Sequence, residues 1–247
     1  MAVLRGVALV FAFIVAAVAS LAVCVARPFH RENNRICARL FAWGGLRSLG
    51  MRVRQQGWQH LPRQRPHVII ANHQSNLDLY VLGSVVPRNS VVVGKHTLRW
   101  VPLFGQIFWL GGNVLIQRRN RRQALSAMQQ TEQVLTQERR SVWIMPEGTR
   151  SRGRGLLPFK KGAFYTAVRT GCPISMVCVS DYSKSLGRRP GETATATVRA
   201  LPPIETAHLS DEDVPALMAQ CRNRMQAHLD DLNGVARPAD EDEQRVA

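Results

Sequence analysis

A histidine and an aspartate, His73 and Asp78, are the residues whose types and spacing most directly suggest chemistry in this 247-residue chain. They lie in the segment Ile70–Asp78, where an apolar run gives way to polar residues. Side chains five positions apart on a helix point about 140° away from each other, so the pair can meet only if His73 precedes a helix and Asp78 lies in its first turn. The carboxylate could then accept the imidazole Nδ1 proton and leave Nε2 as a general base. The spacing alone leaves open a plain helix-capping role.

Two further polar turns follow apolar runs. The turn 146–150, Pro-Glu-Gly-Thr-Arg, comes directly after Val142–Met145, and an arginine- and glycine-rich segment, 151–155, continues it. The turn Gly94-Lys95-His96 follows Val91–Val93. Because ligands bind where the carboxyl ends of parallel strands meet, we expect these turns and that of His73 to face one cleft. Their basic side chains suit a phosphate, although a solvated basic loop or an RNA-binding segment is an alternative.

The elements that must position these turns form an α/β pattern. From about Met51 onward, short β-rich runs alternate with helical patterns, which is typical of an α/β domain. The predicted strands are His67–Ala71, Ser90–Gly94, Asn113–Gln117, Val142–Met145, Ile174–Val179 and Thr193–Leu201. The predicted helices are Arg122–Gln137, Lys161–Thr170 and a last one from near Asp213 to Leu232, with Ser210 as its N-cap.

The amino-terminal region indicates a membrane helix. No charged residue lies between Arg5 and Arg27, and at about 1.5 Å per helical residue this run can cross a hydrocarbon core of about 30 Å. Arginines 27, 31, 35 and 39 follow the run, so the positive-inside bias predicts that the rest of the chain is cytoplasmic. A cleavable signal peptide is the alternative, because Ala17-Val18-Ala19 resembles a cleavage site, but the apolar run continues past it.

Two other apolar stretches have two interpretations each. Residues 36–49 have apolar side chains at helical spacing and either dip into the membrane face or simply pack. The uncharged run Trp100–Ile116 is interrupted by proline and glycine, which favours a core loop leading to a strand. Its aromatic residues suggest the alternative, an apolar surface for acyl chains.

Charge and cysteine content narrow the class of protein. Lysine and arginine total 33 against 17 acidic residues, a formal charge of +16 that predicts an anionic partner: nucleic acid, an acidic lipid surface or a phosphorylated small molecule. The five cysteines have neither CxxC nor metal-ligand spacing, so we expect reduced thiols and no bound metal.

Four blocks of this sequence resemble the glycerolipid acyltransferase superfamily. Asn72–Asp78 resembles its NHxxxxD motif, and the later blocks follow in the same order: Gly112–Arg118, then Pro146–Ser151 as the EGTR block, then Cys172–Val177. From about Met51 to Leu201 the chain is most similar to bacterial 1-acyl-sn-glycerol-3-phosphate acyltransferases. It departs from the family at Gln117, where an acidic residue is common in relatives, and at Met176, where a second proline is common.

This resemblance implies a fold and a location. The expected catalytic domain is an α/β domain over residues 51–235, with a mixed sheet flanked by helices as in glycerol-3-phosphate acyltransferase. A membrane-anchoring helical segment over residues 1–50 precedes it, and a flexible acidic tail over 236–247 follows. The implied location is the cytoplasmic face of the bacterial inner membrane.

The resemblance also implies a reaction: transfer of an acyl group from acyl-CoA or acyl carrier protein to the sn-2 hydroxyl of 1-acyl-sn-glycerol 3-phosphate, giving phosphatidate. In it His73 is the general base and Asp78 orients it, with no serine or cysteine nucleophile. Arg150, Lys95 and Arg118 are the candidates for binding the substrate phosphate. No cofactor or metal is implied beyond the acyl carrier as co-substrate.

The roles of the other residues in the EGTR block and the identity of the acceptor each have more than one interpretation. Glu147, with Gly148 and Thr149 beside it, either contacts the glycerol moiety or has a structural role. An acceptor such as a lyso-ornithine lipid or lysophosphatidylglycerol is the alternative within the superfamily. A basic nucleic-acid-binding module would explain the charge but not the uncharged leader or the His73–Asp78 pair, so we expect lysophosphatidate, the acyl donor and membrane lipids as partners rather than nucleic acid.

Overall fold

The computed structural model describes residues 2–117, 121–183, 186 and 193–235. The strands are β1 (Met51–Gln56), β2 (Val68–Ala71), β3 (Ser90–Lys95), β4 (Val114–Ile116), β5 (Ser141–Ile144), β6 (Ile174–Val179) and β7 (Ala194–Ala200). The α-helices are α1 (Ala2–Ala26), α2 (Asn33–Leu49), α3 (Asp78–Gly83), α4 (Phe104–Leu110), α5 (Arg121–Thr136), α6 (Gly162–Thr170) and α7 (Val214–Asn233). The predicted acidic tail lies outside the described residues.

The strands form one mixed sheet in the order β1-β7-β6-β2-β5-β3-β4, which confirms the predicted fold class. Strands β6, β2, β5, β3 and β4 are parallel, so their carboxyl ends share one edge. Strand β7 runs antiparallel to β6, and β1 pairs with β7 in parallel. Strand β1 was not predicted, because this edge strand is polar at four of its six positions and buries mainly Met51 and Val53.

The core lies on both faces of the central strand β2, whose four residues are all buried. Val68 and Ile70 face a cluster that includes apolar residues of α5, α6 and α7, while Ile69 and Ala71 face a second cluster that includes α3. This alternation follows from the period of two in a strand, and each fully buried aliphatic side chain contributes about 1.5–3 kcal/mol. The apolar core thereby fixes the end of β2, where the polar turn of His73 begins.

Helices α1 and α2 pack as an antiparallel pair against the helices and strands that follow them. The Cys24 and Cys37 Sγ atoms lie 3.6 Å apart, and Ser48 Oγ donates to the carbonyl of Ala8 at 3.3 Å. A third apolar cluster joins both helices to α3 and α4. Gly45 of α2 is essential to this packing, since a Cβ there would lie 2.2 Å from the Tyr80 ring of α3. Residues 36–49 therefore pack on α3 at Tyr80, which lies two residues after Asp78. This packing helps to position Asp78.

The prediction of a core loop before β4 was wrong, because residues 100–116 include helix α4. Phe104, Ile107 and Phe108 recur at helical spacing and bury one side of this helix. Phe104 packs on Phe13 of α1 and Phe41 of α2. The tertiary aromatic contacts thus stabilise a seven-residue helix. It was not predicted because the proline and glycines in this segment indicate a loop.

Candidate active site

His73 and Asp78 make the contact that their spacing suggested. His73 lies in the turn after β2, α3 begins at Asp78, and His73 Nδ1 is 2.6 Å from Asp78 Oδ2. The Asp78 side chain is 3% exposed and the imidazole 27% exposed. Since Nδ1 is engaged with the carboxylate, Nε2 is the ring nitrogen that can meet a substrate.

The turn itself holds Asp78 in place. Its Oδ2 also accepts hydrogen bonds from the backbone N–H groups of Gln74, at 2.8 Å, and Ser75, at 3.1 Å. The Asn72 side chain bonds both backbone groups of Val179 at the end of β6, at 2.7 and 3.0 Å. These bonds fix the carboxylate and tie the turn to β6, so the pair is preorganised before substrate arrives.

Glu147 joins the turn after β5 to the turn of His73. Its Oε1 accepts the backbone N–H of His73 at 2.7 Å, its Oε2 accepts that of Leu157 at 3.0 Å, and the residue is 2% exposed. Burial raises the pKa of Glu147, and the hydrogen bond from the His73 backbone opposes that rise. Because both oxygens accept bonds from within the protein, the geometry favours the structural alternative for Glu147 over contact with glycerol.

The two turns are also joined through their backbones. The N–H of Ser151 donates to the carbonyl of His73 at 2.7 Å, and that of Arg152 to the carbonyl of Gln74 at 3.2 Å. Gly148 has a φ of 72°, in the left-handed region that favours glycine, which explains the glycine after Glu147. The neighbouring Thr149 is exposed.

We expect Glu147→Gln to lower the Tm of the purified protein by several degrees. An amide has only one acceptor oxygen, so one of the two backbone N–H groups is left without a partner, at about 1–3 kcal/mol. In a chain of this size, 1 kcal/mol shifts Tm by roughly 2–4 °C. Thr149→Ala, at an exposed neighbour, is the control and should leave Tm unchanged. If the acceptor KM rises while Tm stays at the wild-type value, Glu147 contacts substrate instead.

Arg150 reaches the same edge of the sheet. Its guanidinium donates to the Asn76 side-chain carbonyl, within the histidine turn. Beside this contact is a cavity of about 520 Å³, lined by residues 74–76, by Arg150, Arg152 and Gly153, and by residues 181–183 with Leu186. The nearest wall of this cavity begins at Gln74, the residue after His73, and its two arginines outnumber the one carboxylate, Asp181. A cavity of this volume and charge can hold a phosphate-bearing headgroup.

The other predicted phosphate ligands are less closely placed. Lys95 is exposed at the carboxyl end of β3, on the same edge of the sheet, but it does not line this cavity. Arg118 lies outside the described residues. Met176, the departure in the fourth block, is fully buried within β6 and lies outside the cavity lining.

The structure adds residues that the sequence analysis gave no role. Asn76 holds Arg150, and Tyr182 donates its hydroxyl to Asp78 Oδ1 at 2.5 Å. Tyr182 is 104 residues from Asp78 in the chain, so no spacing motif connects them. The one signal available was its position just past the predicted strand Ile174–Val179, where residues at the end of a parallel strand face a cleft.

A mixed sheet whose carboxyl edge carries a histidine–aspartate pair beside an arginine-lined cavity has the features of an α/β acyltransferase domain. Residues 52–180 match the family model described as Acyltransferase. The fold matches the crystal structure of the 1-acyl-sn-glycerophosphate acyltransferase PlsC from Thermotoga maritima, with a TM-score of 0.72, 22% sequence identity, and coverage of 97% of this chain and 100% of that one.

Curated relatives agree with the family model. The chain is 36% identical over 230 residues to the 1-acyl-sn-glycerol-3-phosphate acyltransferase of Salmonella typhimurium, covering 91% of this chain and 94% of that protein. It is 42% identical over 166 residues to the protein of the same name from Escherichia coli, covering 67% and 68%. The human 1-acyl-sn-glycerol-3-phosphate acyltransferase alpha is 36% identical over 211 residues, covering 85% and 74%. The chain therefore belongs to the acyltransferase family, and the resemblance found in its four blocks is confirmed.

Proposed function

We propose that this enzyme transfers an acyl group from a thioester, acyl-CoA or acyl carrier protein, to the sn-2 hydroxyl of 1-acyl-sn-glycerol 3-phosphate, giving phosphatidate. The observation that carries the proposal is the 2.6 Å contact between His73 and Asp78 in the turn that also forms one wall of the arginine-lined cavity. The names of the curated relatives support the same acceptor.

In the proposed reaction, His73 Nε2 removes the proton of the sn-2 hydroxyl as its oxygen attacks the thioester carbonyl. Asp78 Oδ2 accepts a hydrogen bond from Nδ1–H, keeps its negative charge, and stabilises the imidazolium that forms. The tetrahedral intermediate collapses, the carbon–sulfur bond breaks, and the imidazolium returns its proton to the departing thiolate. The acyl group thus moves directly from sulfur to the acceptor oxygen without a covalent enzyme intermediate.

In this proposal the acceptor phosphate binds to Arg150 and Arg152, a role supported by their shared position in the cavity lining. A guanidinium can donate two parallel hydrogen bonds to a phosphate, which a single ammonium cannot reproduce. Lys95, at the carboxyl end of β3, and Arg118 remain further candidates for the phosphate. No cofactor takes part in the proposal, since the thioester itself is the activated donor.

The acceptor assignment can be tested by offering the purified enzyme lysophosphatidate, glycerol 3-phosphate, lysophosphatidylglycerol and a lyso-ornithine lipid in parallel, each with both thioester donors. We expect the highest kcat/KM with lysophosphatidate. The lyso-ornithine lipid is the critical comparison because it has no phosphate for Arg150. If it is the best acceptor, the proposed function is wrong.

We also propose that the enzyme lies at the cytoplasmic face of a bacterial inner membrane. Leu4–Ala26 of α1 is long and apolar enough to cross a membrane. Its outward face carries exposed apolar side chains every three or four residues, among them Leu4, Val7, Phe11, Ile14 and Val18.

Two exposed tryptophans outside α1 each lie beside an arginine. The Arg47 guanidinium lies 4.9 Å from the centroid of the Trp43 ring, and that of Arg99 lies 5.0 Å from the centroid of the Trp100 ring. Tryptophan and arginine side by side are typical of the boundary between lipid and water.

Membrane attachment should therefore resist washing. We expect the full-length protein to stay in the membrane fraction after treatment with high salt and with carbonate, because apolar burial holds it rather than charge. The double variant Arg47→Gln, Arg99→Gln is the matched control and should be retained equally. Quantitative release by salt alone would contradict this attachment. A mature protein starting near Ser20 in the periplasm would establish the signal-peptide alternative.

A further inference from the structure

Tyr182 lies just past the carboxyl end of β6, and its ring is buried with 1% of the residue exposed. Its hydroxyl donates to Asp78 Oδ1 at 2.5 Å, whereas His73 Nδ1 bonds the other oxygen, Oδ2. The Asp78 carboxylate is therefore held from two sides by groups far apart in the chain. Ring packing alone would be served equally well by phenylalanine, so the hydroxyl itself requires an explanation.

The position of Tyr182 relative to the pair is fixed by a set of hydrogen bonds. The side chain of Asn72 bonds both backbone groups of Val179, and Gln74 Nε2 donates to the carbonyl of Ser180 at 2.9 Å. These bonds join the histidine turn to Val179, the last residue of β6, and to Ser180, two residues before Tyr182. Burial also raises the pKa of Tyr182, so the phenol keeps its proton and remains a donor at neutral pH.

We propose that Tyr182 is a positioning residue of the reaction, which holds Asp78 so that Oδ2 faces His73 and, by taking part of the negative charge, sets the basicity of the imidazole. This inference rests on the proposed function, in which His73 is the general base. Tyr182 also lines the cavity beside Arg150, so its ring forms part of the wall next to the acceptor.

The charged and titratable groups around the pair define the expected pH effect. Asp78 and Tyr182 face His73 through the carboxylate, Glu147 accepts its backbone N–H, and Arg150 lies on Asn76 of the same turn. Asp181, next to Tyr182, and Arg152 line the same cavity and are unchanged in the comparison. Without the phenol, more negative charge remains on Oδ2, and the imidazolium is better stabilised. The acidic limb of the pH profile of kcat/KM should then move to higher pH.

We therefore expect Tyr182→Phe to lower kcat about tenfold, the low end of what a hydrogen bond to a charged group contributes. The KM for lysophosphatidate should change by less than about threefold, since the ring remains as cavity wall. The acidic limb of kcat/KM should move to higher pH. Tyr165→Phe is the matched control, because Tyr165 is on α6 and stacks with Arg169 away from the cavity; it should leave kcat and the pH profile unchanged.

Two results would overturn this inference. One is a Tyr182→Phe enzyme with wild-type kcat and pH profile. The other is a lower kcat accompanied by a lower Tm but an unmoved acidic limb, which a merely structural role would produce. Both leave the proposed function intact, provided that the wild-type enzyme acylates lysophosphatidate. If the wild type instead uses another acceptor, the proposed function fails, and the same pH comparison with that acceptor still decides the role of Tyr182.

Discussion

His73→Ala is expected to lower kcat for phosphatidate formation by a factor of about 10² to 10⁴, the usual contribution of a positioned general base. Asp78→Asn should have a similar effect, because a neutral amide at the 2.6 Å contact lacks the charge that stabilises the imidazolium and can turn its NH2 group toward Nδ1, which favours the wrong tautomer. Steady-state assays with lysophosphatidate and an acyl thioester measure both. Binding of the acceptor should be largely unchanged, because neither residue contacts the phosphate in the proposed reaction.

Two cysteine variants serve as controls for this result. Cys172 and Cys178 lie on or next to β6 but outside the cavity lining, and direct transfer needs no thiol of the enzyme. Cys172→Ala and Cys178→Ala should therefore affect kcat far less than His73→Ala. A His73→Ala enzyme with wild-type kcat would remove the general-base role.

Arg150→Ala is expected to raise the apparent KM for lysophosphatidate by roughly 10- to 150-fold, since a hydrogen bond to a charged group contributes about 1.5–3 kcal/mol. The KM for the acyl donor should change much less. Arg150→Lys should restore only part of the affinity, because one ammonium cannot form the paired hydrogen bonds of a guanidinium. Full kinetics with each substrate varied in turn separate these effects.

The two variants should fail in different ways. His73→Ala acts on the chemical step, whereas Arg150→Ala acts on the affinity for the acceptor. If Arg150→Ala leaves the acceptor KM unchanged and raises the donor KM, Arg150 belongs to the thioester site. Lys95 and Arg118 would then be the remaining phosphate candidates.

The parts of this molecule that the sequence predicted are those with strong local patterns. The apolar strands β2 and β6 and the periodic helix α7 lie within one residue of their predicted bounds, and the uncharged run between Arg5 and Arg27 lies within α1. The His73–Asp78 contact was also predictable, because only one local geometry lets that spacing meet. Strand β1 and helix α4 were missed, since each is stabilised by partners distant in the chain: β7 for the first, and aromatic residues of α1 and α2 for the second.

Contacts between residues distant in the chain also limited what the sequence could predict about the site. Glu147 had two interpretations in the sequence, and its two backbone partners, His73 and Leu157, are evident only once the turns are folded together. Tyr182 has no motif at all, because its relation to Asp78 depends on β6 lying next to β2 in the sheet. Sequence reasoning therefore identified the histidine–aspartate pair, while the residues that hold the pair in place required the three-dimensional structure.

The central claim is that the acyl group passes directly from the thioester to lysophosphatidate, with His73 as the general base. A single-turnover, rapid-quench experiment tests this claim most directly. Wild-type enzyme in excess over a labelled acyl thioester is mixed with saturating lysophosphatidate, and free thiol and phosphatidate are measured at each time point. Direct attack requires both products to appear with the same rate constant, and His73→Ala should slow both together. Release of thiol ahead of phosphatidate, with the label trapped on the protein, would show an acyl-enzyme and contradict the mechanism.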